Sequence, residues 1–169
     1  YIGEDEAGGL PAKNMYLAGA DYASEAYGMP YQLYTEYADT RTSGEVRGVS
    51  YDHSTYTDGY YQQGYPLGHS LGGDAESISV GGKLWLDSRN FVNTKLQYAK
   101  VNQSGELDRR TGKSDNQAFP MKDKLTAIDI SWAHQLNPKT LVTSRLWGID
   151  SDTQSSDIGA GVGLEFQTY

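Results

Sequence analysis

Ile78, Val80, Leu84 and Leu86 alternate with Ser77, Ser79, Lys83, Trp85 and Asp87. The pattern recurs further on, where Ile158, Ala160, Val162, Leu164 and Phe166 alternate with Gly159, Gly161, Gly163, Glu165 and Gln167. A period of two sends successive side chains to opposite faces of an extended chain, so both segments read as strands with one apolar and one polar face. Carried along the chain, the same reading predicts eight strands, over roughly 14–23, 31–41, 46–53, 75–87, 91–102, 124–136, 140–150 and 158–168. Most span ~10–13 residues, which is long for a soluble sheet and suits tilted membrane strands.

The faces sort by chemistry. Tyr31, Leu33, Tyr37, Thr94, Leu96, Tyr98, Ile128, Ile130 and Trp132 fall on one side of their strands. Gln32, Tyr34, Asn93, Gln97 and Ser131 fall on the other, and so do the mid-strand charges Glu36, Lys83, Lys95, Asp129 and Glu165. A Lys or Arg facing lipid near the bilayer midplane costs ~2–4 kcal/mol, so this sorting suits a wall between lipid and an aqueous lumen. The segment 140–150 resists it, because placing Arg145 inward takes Leu141, Trp147 and Ile149 inward too.

Link lengths give the sheet a direction. Short links at 42–45, 88–90 and 137–139 alternate with longer ones at 24–30, 54–74, 103–123 and 151–157. Outer-membrane barrels join their strands by short periplasmic turns and longer outer loops. The expected fold is therefore all-β, an antiparallel transmembrane outer-membrane β-barrel portion of about eight strands over 1–169, with the four long links extracellular and the last strand ending in the periplasm. A soluble β-sandwich is the competing architecture.

Composition narrows the function. Only 37% of residues are hydrophobic, and no run approaches the ~20 apolar residues of a membrane helix, which leaves a barrel open. The 14 tyrosines suit strands and membrane interfaces, and the absence of cysteine is compatible with the bacterial envelope. A net charge of -8 without a basic stripe argues against a nucleic-acid partner. The opening Tyr1-Ile2-Gly3 carries no Met or signal peptide and reads as a mature or internal segment.

The run Gln62-Gln63-Gly64-Tyr65-Pro66-Leu67-Gly68-His69 with Gly72-Gly73-Asp74 resembles the Wzi capsule-assembly family. So do Gly3-Glu4-Asp5 before Gly8-Gly9-Leu10-Pro11 and the strand Tyr34-Thr35-Glu36-Tyr37-Ala38-Asp39-Thr40. The resemblance implies an outer-membrane β-barrel lectin that attaches capsular polysaccharide or exopolysaccharide to the cell surface. It also implies a barrel larger than eight strands, of which this chain is the C-terminal part, partnered by a missing N-terminal part, outer-membrane lipid and LPS.

Glycan contact falls on the tyrosine-rich link. Tyr rings stack on the C–H faces of sugars, and their hydroxyls, with amides and carboxylates, bond sugar hydroxyls. The glycan-binding candidates are Tyr56, Tyr60, Tyr61, Gln62, Gln63, Tyr65, His69 and Asp74; packing of the same link into the barrel is the bland alternative. Arg109, Arg110 and Lys113, with Lys122 and Lys124 beside them, are polyanion-contact candidates, weighed against an exposed mixed-charge loop.

No enzyme, cofactor or metal is implied. His69-Ser70 makes a poor dyad, since neighbours on one strand point apart. Asp150-Ser151-Asp152 with Asp157 lacks the Gly and Glu positions of a calcium loop and reads as a solvated acidic loop. A diffusion pore, motivated by the polar face, and less favourably a barrel enzyme acting on lipid or glycan, are the competing functions.

Overall fold

The structure is a computed structural model that describes residues 15–42, 51, 56, 58–105, 107, 112, 114 and 116–166. Its strands are β1 (Tyr16–Ala26), β2 (Met29–Asp39), β3 (Tyr61–Gln62), β4 (Tyr65–Pro66), β5 (Glu76–Trp85), β6 (Asn90–Val101), β7 (Asp123–Asn137), β8 (Thr140–Ser151) and β9 (Asp157–Phe166). Seven form one antiparallel sheet in the order β1-β2-β5-β6-β7-β8-β9, and β3 and β4 form a separate hairpin. No α-helix occurs among the described residues. By contact the chain divides into two compact units, one built from Tyr1–Ala18, Tyr37–Ser77 and Ala99–Leu125, the other from Gly19–Glu36, Ile78–Tyr98 and Thr126–Tyr169.

Seven of the expected strands are present. The eighth, at 46–53, lies outside the described residues except for Tyr51, which is not in a strand. The link expected at 24–30 is shorter: the strands continue through it and turn on Tyr27 and Gly28 alone. Both have positive φ (53° and 75°), the two-residue geometry whose twist matches paired strands. In the meander this turn falls at the same end of the sheet as the links 86–89 and 138–139, so 24–30 does not belong with the long links. Those lie at the opposite end, at 40–75, 102–122 and 152–156.

Side chains wind the short links. The Asp87 carboxylate accepts the backbone N–H groups of Arg89 (2.7 Å) and Asn90 (2.9 Å), and these bonds hold its pKa below the ordinary value. The Asn137 side-chain oxygen accepts the N–H of Lys139 at 2.9 Å.

The two faces of the sheet follow the period of two. On one, the Leu33 side chain lies beside Gly82, and Ile128 and Ile158 lie beside Gly148. Ile158 and Val162 on this face are 83% and 77% exposed, so the apolar side has no cover among the described residues. On the other, Gln32, Tyr34, Lys83, Asn93, Lys95, Gln97 and Asp129 line a common cavity with Arg145, Trp147 and Ile149. The polar set is thus gathered as the alternation predicts, and Arg145 belongs to it.

The pairing of β8 with β9 explains the segment that resisted the sequence rule. Its register sets Trp147 opposite Gly159, Arg145 opposite Gly161 and Thr143 opposite Gly163 on the polar face. The indole lies on the bare backbone of Gly159, where an added Cβ would overlap Trp147 Cζ2. Tyr34 covers Gly81 in the same way, its hydroxyl end standing where a Cβ would be. Large inward side chains are accommodated because their cross-strand neighbours have none, the aromatic–glycine pairing that pins register in curved sheets.

Gly159→Val is expected to expel the Trp147 indole and cost about 1–3 kcal/mol by overpacking. Denaturant unfolding of the full-length protein in detergent should show the loss. In Trp147→Ala the same Gly159 change should cost far less, and equal costs in both backgrounds would contradict the packing described.

Candidate functional site

The link between β2 and β5 is ordered by polar side chains aimed at its own backbone. A long loop has few ladder partners, and each buried N–H or C=O must find another. Thr40 Oγ1 donates to the Gly72 carbonyl at 2.7 Å and accepts the Ala75 N–H at 3.0 Å. Asn116, fully buried, donates to the carbonyls of Leu71 and Gly73 (both 2.7 Å) and accepts the N–H of Phe119 at 2.9 Å. The Tyr61 hydroxyl accepts the Gly73 N–H at 2.9 Å, and the Tyr51 hydroxyl accepts the His69 N–H at 2.7 Å. The apolar part of this unit is small: Leu71, Ala75, Ala99 and Val101, with Phe119 and Leu125 against them.

Ion pairs flank this unit. Arg41 binds Asp39 through two nitrogens, Nε to Oδ1 at 2.8 Å and Nη2 to Oδ2 at 2.5 Å. It reaches Glu76 at 3.3 Å, and Lys100 approaches the same carboxylate at 3.8 Å. A two-point guanidinium–carboxylate contact fixes orientation as well as charge.

Within this frame, β3 and β4 turn on Gln63 and Gly64, both at positive φ (53° and 82°), with Gln62 paired to Tyr65. The fold divides the eight glycan-binding candidates. Tyr61 and Asp74 are buried. Asp74 Oδ2 accepts both the N–H (2.6 Å) and the hydroxyl (2.7 Å) of Ser104, tying the link to the turn after β6. His69 is half-buried, and its Nδ1 accepts the Leu71 N–H at 3.3 Å, so the ring serves the loop backbone. Tyr56, Tyr60, Gln62, Gln63 and Tyr65 are exposed, Tyr65 to 76% and Tyr56 to 68%. The polyanion candidates Arg109, Arg110 and Lys113 lie outside the described residues; Lys122 and Lys124 are exposed.

Sequence reasoning did not single out Tyr51, Thr40 or Asn116, the residues that shape the link. Asn116 stands in the polar run Ser114-Asp115-Asn116-Gln117, which carries no periodic signal. The acidic link 152–156 is wound by its own hydroxyls: Ser151 Oγ accepts the N–H groups of Thr153 (3.2 Å) and Gln154 (2.8 Å), and Ser156 donates to Asp150 at 2.6 Å. No cluster of three metal-ligating side chains occurs among the described residues.

Two outcomes follow from this geometry. Asn116→Ala strands two carbonyls and an amide, about 1–3 kcal/mol per buried group. Limited proteolysis of the full-length protein should then cut within 67–75 much faster, while strand content stays constant by circular dichroism. Burial pushes the Tyr51 hydroxyl above its ordinary 10.0, against the opposing pull of the His69 N–H. The folded state thus favours the neutral phenol. That stabilisation is complete below pH 10 and disappears as pH rises through the raised value. Tyr51→Phe should remove one late-titrating tyrosine from the absorbance near 295 nm.

Comparison with known proteins places this geometry. Residues 1–151 match the family described as Capsule assembly protein Wzi. A Klebsiella pneumoniae protein, described as an uncharacterized 55.8 kDa protein in the cps region, is 36% identical over 166 residues, 97% of this chain and 31% of its own length. The solved structure of Wzi, an Escherichia coli outer-membrane protein involved in group 1 capsule assembly and a carbohydrate-binding β-barrel, superposes with a TM-score of 0.80 at 36% identity. That match covers 97% of this chain and 36% of the solved one, so the chain spans about a third of the relatives' length. The open sheet corresponds to part of a barrel, and the chain belongs to the Wzi family of capsule assembly proteins.

Proposed function

We propose that this chain is a portion of an outer-membrane barrel that attaches capsular polysaccharide or exopolysaccharide to the surface of a Gram-negative cell, as a lectin and not as an enzyme. The observation that carries the reading is the β3–β4 hairpin. It presents Tyr60, Gln62, Gln63 and Tyr65, with Tyr56 nearby in sequence, on a loop whose interior hydrogen bonds are made elsewhere. Flat rings beside amides are the chemistry that sugar faces and hydroxyls require. Family membership supports the same reading, since Wzi of Escherichia coli is a carbohydrate-binding barrel of capsule assembly.

In this proposal the exposed apolar face meets outer-membrane lipid, the links 40–75, 102–122 and 152–156 lie outside, near LPS, and the short turns lie in the periplasm. The remaining strands of the barrel come from the rest of the parent chain. Arg109, Arg110 and Lys113, on the second of those links, are proposed to add contact with an acidic polymer. The polar cavity face also favours a diffusion pore as the second reading.

Purified full-length protein should bind its own capsule polymer in detergent. Each of Tyr56→Ala, Tyr60→Ala and Tyr65→Ala should weaken binding roughly fivefold, the worth of one ring contact of about 1 kcal/mol. Undiminished binding by the triple variant, with normal capsule retention in cells, would sink the hairpin as the contact. Steady conductance in planar bilayers would favour the pore instead.

A further inference from the structure

Lys83 and Lys95 are left unused by the loop. Both line a cavity of about 580 Å³ on the polar face of the sheet, and neither has an ion-pair partner among the described residues. The Lys83 ammonium sits 4.2 Å from the Phe91 ring centre and 4.9 Å from that of Trp85. A third cation, Arg145, lines the same cavity and is held by Asp129, with Nε and Nη2 both 2.5 Å from Oδ2. The cavity wall thus carries three cations and one carboxylate in a chain whose net charge is -8. Glu36 and Glu165, assigned to the same side of their strands, are not part of that wall.

Local inversion of charge against an acidic whole favours an anionic occupant. The remaining wall narrows its chemistry. The Trp147 indole lies against Gly159, with Arg145 Cζ 5.6 Å from its ring centre, and the hydroxyl end of Tyr34 lies over Gly81, so two aromatic side chains are fixed in place by glycine backbone. Asn93 and Gln97 add amide donors and acceptors. A simple inorganic anion has no use for aromatic side chains, and a neutral sugar has no use for two ammonium groups that no carboxylate pairs among the described residues. A ring with apolar C–H faces, hydroxyls and a carboxylate uses all of them, and the volume lies within the ~300–1,000 Å³ of small-ligand sites.

We infer that this face binds a carboxylate-bearing sugar, a uronic acid unit of an acidic polysaccharide, in the full-length protein. The inference rests on the capsule-attachment reading for the identity of the polymer. The sugar chemistry is tested without it. Full-length protein in detergent is titrated with an oligogalacturonate and with a neutral malto-oligosaccharide of equal length, at low and high salt. The acidic oligomer should bind more tightly and weaken with salt. Lys83→Gln/Lys95→Gln should weaken it at least tenfold and leave the neutral oligomer unchanged, while Lys83→Arg/Lys95→Arg keeps the affinity.

Equal binding of the two oligomers, or of wild type and the glutamine variant, overturns the site, as does full displacement by equimolar inorganic phosphate. The protein's own polymer separates the two readings. Polymer binding that responds to the hairpin tyrosines and ignores the lysines leaves attachment standing and removes this site. Failure of the polymer to bind wild type counts against attachment, while the oligosaccharide titration still decides the cavity.

Discussion

Strand register is the constraint on which the rest of this structure depends. With a side-chain period of two, a slip of one residue exchanges the faces of a strand completely. In β8 and β9 it would bring Arg145 and Trp147 to the side of Ile158 and Val162, and leave the glycine row facing nothing. Size complementarity resists the slip on both faces, since Trp147 meets Gly159 on one and Ile158 meets Gly148 on the other. The tight turn at Tyr27–Gly28 adds a geometric lock at one end of the meander.

The link between β2 and β5 follows a different logic. Among the described residues its apolar core is confined to Leu71 and Ala75 with the packed rings of Tyr51 and Tyr61 beside them, so hydrophobic burial fixes only part of its shape. The rest of its order comes from single side chains that each satisfy several backbone groups. Asn116 serves three, and Thr40 Oγ1 both donates and accepts. A buried polar network of this kind specifies one arrangement, because every alternative strands some of its members. Exposed tyrosines can then be held at a loop surface without collapsing onto an apolar core.

The legibility of these two parts in the sequence differed for the same reason. Long strands carry a periodic signal, so the face of Lys83, Lys95 and Asp129 could be read from alternation alone. Arg145 and Trp147 became intelligible only through a cross-strand neighbour, although the alternate glycines of 159–163 hold that information. The link expected at 24–30 is longer than its turn at Tyr27–Gly28, and the hairpin at Gln63–Gly64 went unread, because Tyr and Gln seldom adopt positive φ and neither pair is a common turn signature. Tyr61 and Asp74 looked like surface groups from composition, and only the fold shows their polar atoms turned to Gly73 and Ser104. No local pattern announces Asn116, because its partners at Leu71 and Gly73 lie more than forty positions away.

Strand β9 has one further consequence. It stands last in the sheet order, with a neighbour on one side only among the described residues. Its free side offers a run of unpaired amides and carbonyls, flanked by bare glycines and by Ile158, Val162, Leu164 and Phe166. Such an edge is a template for another strand, and between Asp157 and Glu165 neither proline nor charge blunts it. Produced as an isolated polypeptide, this region would recruit copies of itself edge to edge; within a closed cylinder the same atoms become an ordinary seam.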